Sequence, residues 1–326
     1  MNSKTQHFRI LALTALLGIA AFPWLQAKSS TYVHSELPDG ADWGGTSWTA
    51  SQEHLFAGEP AFQDPGTTTI LVRYSYYVSQ YDTVRLNPVW VAHIDTADSA
   101  AATATRTDGV WDRKHYHFRP DANVVTFSMA RKIPWVKDTD YTNANPSELK
   151  PVTSANRISR GHLASNQEMK GHGDETEGQL SQTESFSFAN VAPQMQAFNA
   201  PFWLAIEEDC LRLAETVGTV AVISGPVFKP EKGEPLLQTG SGTKVRIPIP
   251  THFFKVIIAR VDGRTTAIAF LVPHRADLKA EARSNYLVPV RAVEDVTGIN
   301  FMPELGSNDA LEKVPQQELV ELLHDD

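Results

Sequence analysis

A chain of 326 residues that is 42% hydrophobic and 21% charged has the make-up of an ordinary globular protein, in one large domain or two small ones. Its single cysteine, Cys210, excludes an intramolecular disulfide, so stability must come from the core. A formal charge of -9 argues against a protein that coats nucleic acid with a wholly basic face. Any action on such a polymer would rest on a local basic cleft and a bound cation.

At the N-terminus, Lys4 and Arg9 precede an apolar run from Ile10 to Leu25, and Leu25-Gln26-Ala27 ends in a small residue suited to signal-peptidase cleavage. This reads as an export signal over 1–27, leaving a periplasmic or secreted protein. An uncleaved anchor is the alternative, although the run is short for a bilayer. No later run reaches spanning length, so no membrane insertion is expected after cleavage.

After a polar, Gly-rich stretch from Lys28 to Ser51, residues 69–78 are rich in β-branched and aromatic side chains and are predicted as a strand. Residues 88–94 read the same way, as do 123–129, 219–224 ahead of the Gly225-Pro226 break, 244–249, 252–261 and 265–272. Between them, Gly171 to Gly178 is polar and Gly-rich, which predicts a mobile surface loop. The clearest helix begins near Pro201 and puts Phe202, Ile206, Cys210 and Leu213 on one apolar face, where Cys210 would be a buried inert thiol. A weaker helix is expected over 315–323. Strands and helices do not alternate regularly, so the fold class is α+β with a largely antiparallel sheet. No linker long enough to demand two domains interrupts 28–326.

Chemistry concentrates in two segments. In Ser159-Arg160-Gly161-His162-Leu163 the arginine and the histidine lie two positions apart, and strand alternation aims both the same way. An imidazole can take a proton from water near neutral pH, while a guanidinium can grip a phosphate oxygen. Downstream come Asn190, then Pro193-Gln194, then Asn199, Trp203 and Glu207 at steps of four. In a helix each such step turns the side chain by about 40°, so Asn199 and Glu207 could share one site. Spacing alone equally allows a helix cap and a solvated surface charge.

Taken together, these motifs resemble the DNA/RNA non-specific endonucleases, the ββα-metal (His-Me finger) nucleases that include endonuclease G and secreted bacterial enzymes. Their Asp-Arg-Gly-His-Leu resembles Ser159 to Leu163, and their Asn-x-x-Pro-Gln followed by Asn and Trp resembles Asn190, Pro193, Gln194, Asn199 and Trp203. The likeness extends through Trp90-Val91-Ala92-His93, Ser224-Gly225-Pro226 and His252-Phe253-Phe254-Lys255. It implies that 28–326 is a single endonuclease domain with His162 as general base, Asn199 as the ligand of Mg²⁺ (or Mn²⁺) and Arg160 as a phosphate contact. Asn190 and Glu207 would complete the catalytic set, and Arg113 would be a further phosphate contact. The implied activity is sequence-non-specific hydrolysis of DNA and RNA to 5′-phosphate products.

Two positions depart from the family pattern: Ser159 replaces the acid before Arg-Gly-His, and Ala164-Ser165 replaces Ala-Pro. The alternative is therefore a catalytically silent relative that binds nucleic acid or a protein partner at the cell surface. Joint retention of His162, Asn190, Asn199 and Glu207 argues against it. A serine hydrolase is excluded by the lack of a Gly-x-Ser-x-Gly elbow. A zinc site is not expected, because no second ligand cluster accompanies His115 and His117.

Overall fold

The computed structural model of the protein describes residues 55, 57–62, 69–141, 144–240, 245–278, 281–305, 309–313 and 317–323, so the leader read at 1–27 lies outside the described residues. Three sheets form among them. β1 (Ala61–Phe62) pairs with β11 (Ile299–Asn300). The main sheet takes in β2 (Thr69–Arg73), β3 (Tyr77–Asp82), β4 (Asn87–Thr96), β7 (Thr219–Val227), β8 (His252–Val261), β9 (Arg264–Pro273) and β10 (Leu287–Val288). Its spatial order is β10-β9-β8-β7-β4-β3-β2, with every neighbouring pair antiparallel. The third is a two-stranded antiparallel sheet of β5 (Ile158–His162) and β6 (Val191–Met195), called the β5–β6 hairpin below although α3 and α4 lie between its strands.

Strand alternation gives the main sheet two apolar faces. On β8, Phe253, Ile257 and Ala259 enter one core, and Phe254, Val256 and Ile258 enter the other. The first face is covered by α3 (Asn166–Lys170) and α5 (Leu204–Val217), the second by α6 (Val290–Thr297) and α7 (Asp309–Lys313). Both layers make the fold α+β with a mostly antiparallel centre, as expected. On α5 the sequence stripe holds: Phe202, Ile206, Cys210 and Leu213 are all buried, and Gly218, at φ 90°, ends the helix in a conformation that side chains rarely adopt. Truncating Ile206 to Ala would cost about 2–5 kcal/mol, because the cavity cannot refill. Cys210 is a free, fully buried thiol whose ionisation burial disfavours. Among the described residues no helix is long and apolar enough to cross a membrane.

Several sequence expectations need correction. Residues 69–78 form two strands, because the Tyr74 N–H donates to the Tyr77 carbonyl at 2.9 Å and turns the chain back. The strand expected at 123–129 is α2 (Ala122–Arg131): the Asp121 carboxylate accepts from the N–H groups of Asn123 and Val124, and that cap overrides the β-branched valines. β7 runs straight through Gly225-Pro226, since the glycine lets the backbone pass the Val89 carbonyl where a Cβ would fall 2.5 Å away. The described part of 244–249 has no strand and one bridge, Gln238 to Pro248. The loop expected at 171–178 is mostly structured: Asp174 caps α4 (Glu175–Ser185) in a reciprocal box with Glu177, and His172 is buried. Of the helix expected over 315–323, the described residues hold the short α8 (Gln317–Val320). The remaining helix, α1 (Ala97–Thr105), packs beside α5.

Candidate active site

The β5–β6 hairpin carries the two titratable residues of the Arg-Gly-His segment. Its register sets His162 opposite Val191 and Arg160 opposite Pro193. Gly161 is required here, because a Cβ at that position would stand 2.1 Å from the Gln194 side chain crossing the hairpin. As alternation predicts, Arg160 and His162 share a side: the Arg160 guanidinium carbon lies 5.4 Å from the centre of the Phe118 ring, and the His162 ring lies 5.1 Å from it. Arg113 stands over the same ring at 5.9 Å and over Phe186 at 5.8 Å, and His162 meets Phe186 edge-on at 4.9 Å. An aromatic floor thus gathers two cations and an imidazole.

Electrostatics follow from that floor. His162 is nearly buried, and its Nε2 has no hydrogen-bond partner among the described residues. Burial first, and then the Arg113 charge, push its pKa down to about 3, with Glu168 offsetting part. The imidazole is therefore neutral at neutral pH, the form that can accept a proton. Arg160 is held from outside the hairpin: its Nη2 donates to the Asp138 carbonyl at 3.1 Å and lies 2.6 Å from the Asp138 carboxylate. A carboxylate thus sits beside the guanidinium even though Ser159 is not acidic.

Asn190 stands behind this surface. Fully buried, it accepts from the Ala164 N–H at 2.8 Å and donates to the carbonyls of Ala164 (2.8 Å) and Ser185 (2.9 Å). Both ends of its amide are engaged with backbone, so its role is to clamp the turn after His162. Asn199 lies against β5, its Nδ2 donating to Ser159 Oγ at 3.3 Å while that hydroxyl donates to the Gln194 carbonyl at 3.0 Å. The regular helical step from Asn199 to Glu207 does not occur. Phe198–Trp203 form a wide turn in which Ala200 is extended (φ -146°, ψ 123°), and α5 begins only at Leu204. Glu207 is buried on α5, and burial, with the Glu168 charge, raises its pKa well above the usual carboxylate range. With its nitrogen turned to Ser159, Asn199 keeps a carbonyl oxygen as donor. That oxygen is a hard donor of the kind a magnesium-type ion takes.

In the apolar layer between the main sheet and α5 lies a charged cluster, two members of which, His93 and Lys255, end family-like segments of the sequence without a role implied there. His93 Nε2 is 3.4 Å from Asp95 Oδ2 and 3.4 Å from Glu168 Oε1, with all three side chains fully buried. Their ligand atoms fall within 4.8 Å of one another, a set whose chemistry could hold a metal. Lys255 joins them from β8, fully buried, its Nζ 5.0 Å from the Trp203 ring centre. Burial lowers the His93 pKa, but Glu168 and Asp95 together lift it to about 9, so the ring is cationic at neutral pH. Two cations already offset the Asp95 and Glu168 charges, and a divalent ion there would have to displace a proton. A signal does exist in the sequence: His93, Asp95 and Lys255 interrupt strands that are otherwise apolar on both sides.

Comparison with known proteins bears on the family and the fold. The sequence profile of the family described as DNA/RNA non-specific endonuclease matches residues 58–308. The zebrafish (Danio rerio) protein named mitochondrial nuclease EXOG is 30% identical over 79% of this chain and 67% of its own length. Mitochondrial nuclease 1 of Schizosaccharomyces pombe is 28% identical over 69% of this chain and 64% of its own. The chain thus spans about two thirds of the length of these relatives. A crystal structure of an EndoG/EndoGI complex shares the fold, with a TM-score of 0.60 at 24% identity, over 79% of this chain and 94% of the other. Mitochondrial relatives correct the expectation of a periplasmic or secreted protein. The physical reason for that error is that an N-terminal segment with Lys4 and Arg9 and no acidic residue through Ala27 has charge features common to export and organelle-targeting signals. On its matched length and its fold, the chain belongs to the DNA/RNA non-specific endonuclease family of phosphodiester hydrolases.

Proposed function

We propose that residues 28–326 form a single metal-dependent endonuclease domain that cuts DNA and RNA without sequence preference and leaves 5′ phosphates. The observation that carries this reading is the neutral His162 imidazole, its Nε2 without a partner among the described residues, beside Arg113 and Arg160 on one aromatic floor. Arg113 and Arg160 grip non-bridging phosphate oxygens, which carry no sequence information. His162 takes a proton from the attacking water, placed in line with the 3′ oxygen, whose departure leaves the phosphate on the 5′ side. Mg²⁺, or Mn²⁺ in its place, would be held by Asn199 with Glu207 on its water shell, and would supply charge neutralisation at the phosphate and the departing oxygen. Asn190 keeps the His162 turn in place. Arg113 and Arg160 over one ring meet the requirement that the charge of -9 imposes, since attraction to the polymer is local.

Purified protein assayed on plasmid DNA and on RNA, with Mg²⁺, Mn²⁺ or EDTA, tests the reading. Internal cleavage of both polymers, stopped by EDTA, with new ends that a kinase labels only after phosphatase treatment, is the expected result. Cleavage that persists in EDTA, or ends labelled directly at the 5′ hydroxyl, would overturn the metal or the product assignment respectively.

A further inference from the structure

Glu168 is fully buried, and a carboxylate in that position carries a desolvation cost of several kcal/mol unless its oxygens are well matched. One oxygen caps a helix, since Oε2 accepts from the Ser165 N–H at 2.8 Å, while Ser165 Oγ accepts from the Glu168 N–H at 3.1 Å. A capping box on a protein surface achieves that with no burial. The other oxygen points elsewhere, 3.4 Å from His93 Nε2 on β4 in the main sheet. His93 is in turn 3.4 Å from Asp95 on the same strand, and Lys255 adds its charge from β8. Ser165 lies three residues after His162, so a short, rigid path links the imidazole to the sheet: β5, the turn 163–165, Glu168, His93.

That path matters because Nε2 is the atom left free to take a proton, so the imidazole must be placed by other means. In many sites the base is oriented by a third group bonded to its ring. Here the ring position follows from its backbone and from Phe118 and Phe186, and the backbone is fastened at two points. Asn190 holds Ala164, and Glu168 holds Ser165. Of these two, the second fastening reaches the central sheet through a charged pair.

We propose that Glu168, paired with His93, is a positioning residue for His162, locking the turn after β5 onto β4 and so fixing where the imidazole stands. The inference rests on His162 being the base. It predicts loss in the chemical step rather than in binding, and it predicts that Glu168 and His93 act as one unit.

The test compares Glu168→Gln, His93→Gln, the double variant and, as control, His162→Ala, with Mg²⁺ on one oligonucleotide and per folded molecule measured by near-ultraviolet circular dichroism. Glu168→Gln retains an acceptor for Ser165, and His93→Gln removes the pair from the other side without touching the turn. Each single change should lower kcat about 10 to 100-fold with KM within about threefold, and the double should be no worse than the poorer single. Either single variant within about twofold of wild-type kcat, while His162→Ala is inert, overturns the proposal. So do losses that multiply in the double variant, or that appear in KM. Should His162→Ala itself keep turnover, the assignment of the base has failed instead, and the two failures are told apart by that control.

Discussion

The His162 site and the charged layer each bury a histidine, and one imidazole ends neutral while the other ends cationic. Burial pushes both toward neutrality, but its effect is only the starting point. Around His162 the neighbours are aromatic faces and the Arg113 cation, and the pKa falls to about 3. Around His93 they are Glu168 and Asp95, and it rises to about 9. One imidazole is kept neutral, with its Nε2 unpartnered among the described residues; the other is kept from releasing its proton. The same residue type thus serves as candidate base in one region and as fixed cation in the other, and the choice is made by the charges that folding gathers around each ring.

The strongest way to break this contrast is His162→Ala. Cleavage should fall by about 10² to 10⁴-fold with folding and nucleic-acid affinity nearly intact, because a positioned base contributes to rate and little to binding. Near-native turnover in single-turnover kinetics would remove the His162 site from the comparison.

Proton linkage sharpens it next, through urea unfolding across pH. The His93 pKa rises from 6.5 to about 9 on folding, so its stabilising contribution, on the order of 3 kcal/mol, is fully present below pH 6.5 and lost as pH rises through about 9. His93→Gln should flatten that alkaline loss. His162 and His274 shift the other way, to about 3 and about 4, and make no demand above pH 6.5; stability declines as pH falls below it, where the unfolded chain takes up protons that the fold refuses. A His93→Gln protein with an unchanged alkaline limb would contradict the fixed cation.

Asn199→Ala comes third. Apparent Mg²⁺ affinity should weaken by about 10 to 100-fold, with excess Mg²⁺ recovering part of the activity. An unchanged metal titration would place the ligand elsewhere, and the carboxylates of the charged layer would be the next positions to substitute.

Ser159→Asp should have the smallest effect, raising activity or leaving it unchanged within about tenfold. Arg160 already has the Asp138 carboxylate, so a second acid adds little to its orientation. The change bears instead on Asn199, whose Nδ2 meets Ser159. Complete loss of cleavage in this variant would show that the hydroxyl, not the position, is what Asn199 needs.

Much of this is legible in the chain, for physical reasons that can be named. The apolar stripe of α5 and the alternation of β8 carry their own period, and the Arg160 and His162 alternation survives because β5 is a regular strand. The conformation around Asn199 is not legible, since the four-residue spacing presumes an unbroken helix and the wide turn at Ala200 breaks it. Asp121 at the head of α2 and Ser165 at the head of α3 are readable caps that the β-branched and Gly-rich neighbours conceal. Asp138 and Phe118 reach the site only through tertiary folding, and no local pattern marks them.

The ion pair between Asp138 and Arg160 has a consequence for how binding responds to salt. A guanidinium paired with a carboxylate at 2.6 Å adds little net positive charge, so a phosphate that meets it releases fewer of the cations condensed on the polymer. The slope of log affinity against log salt should be shallower than the number of cationic contacts alone suggests. Removing that resident anion with Asp138→Ala would make the slope steeper by about one unit of exchanged charge.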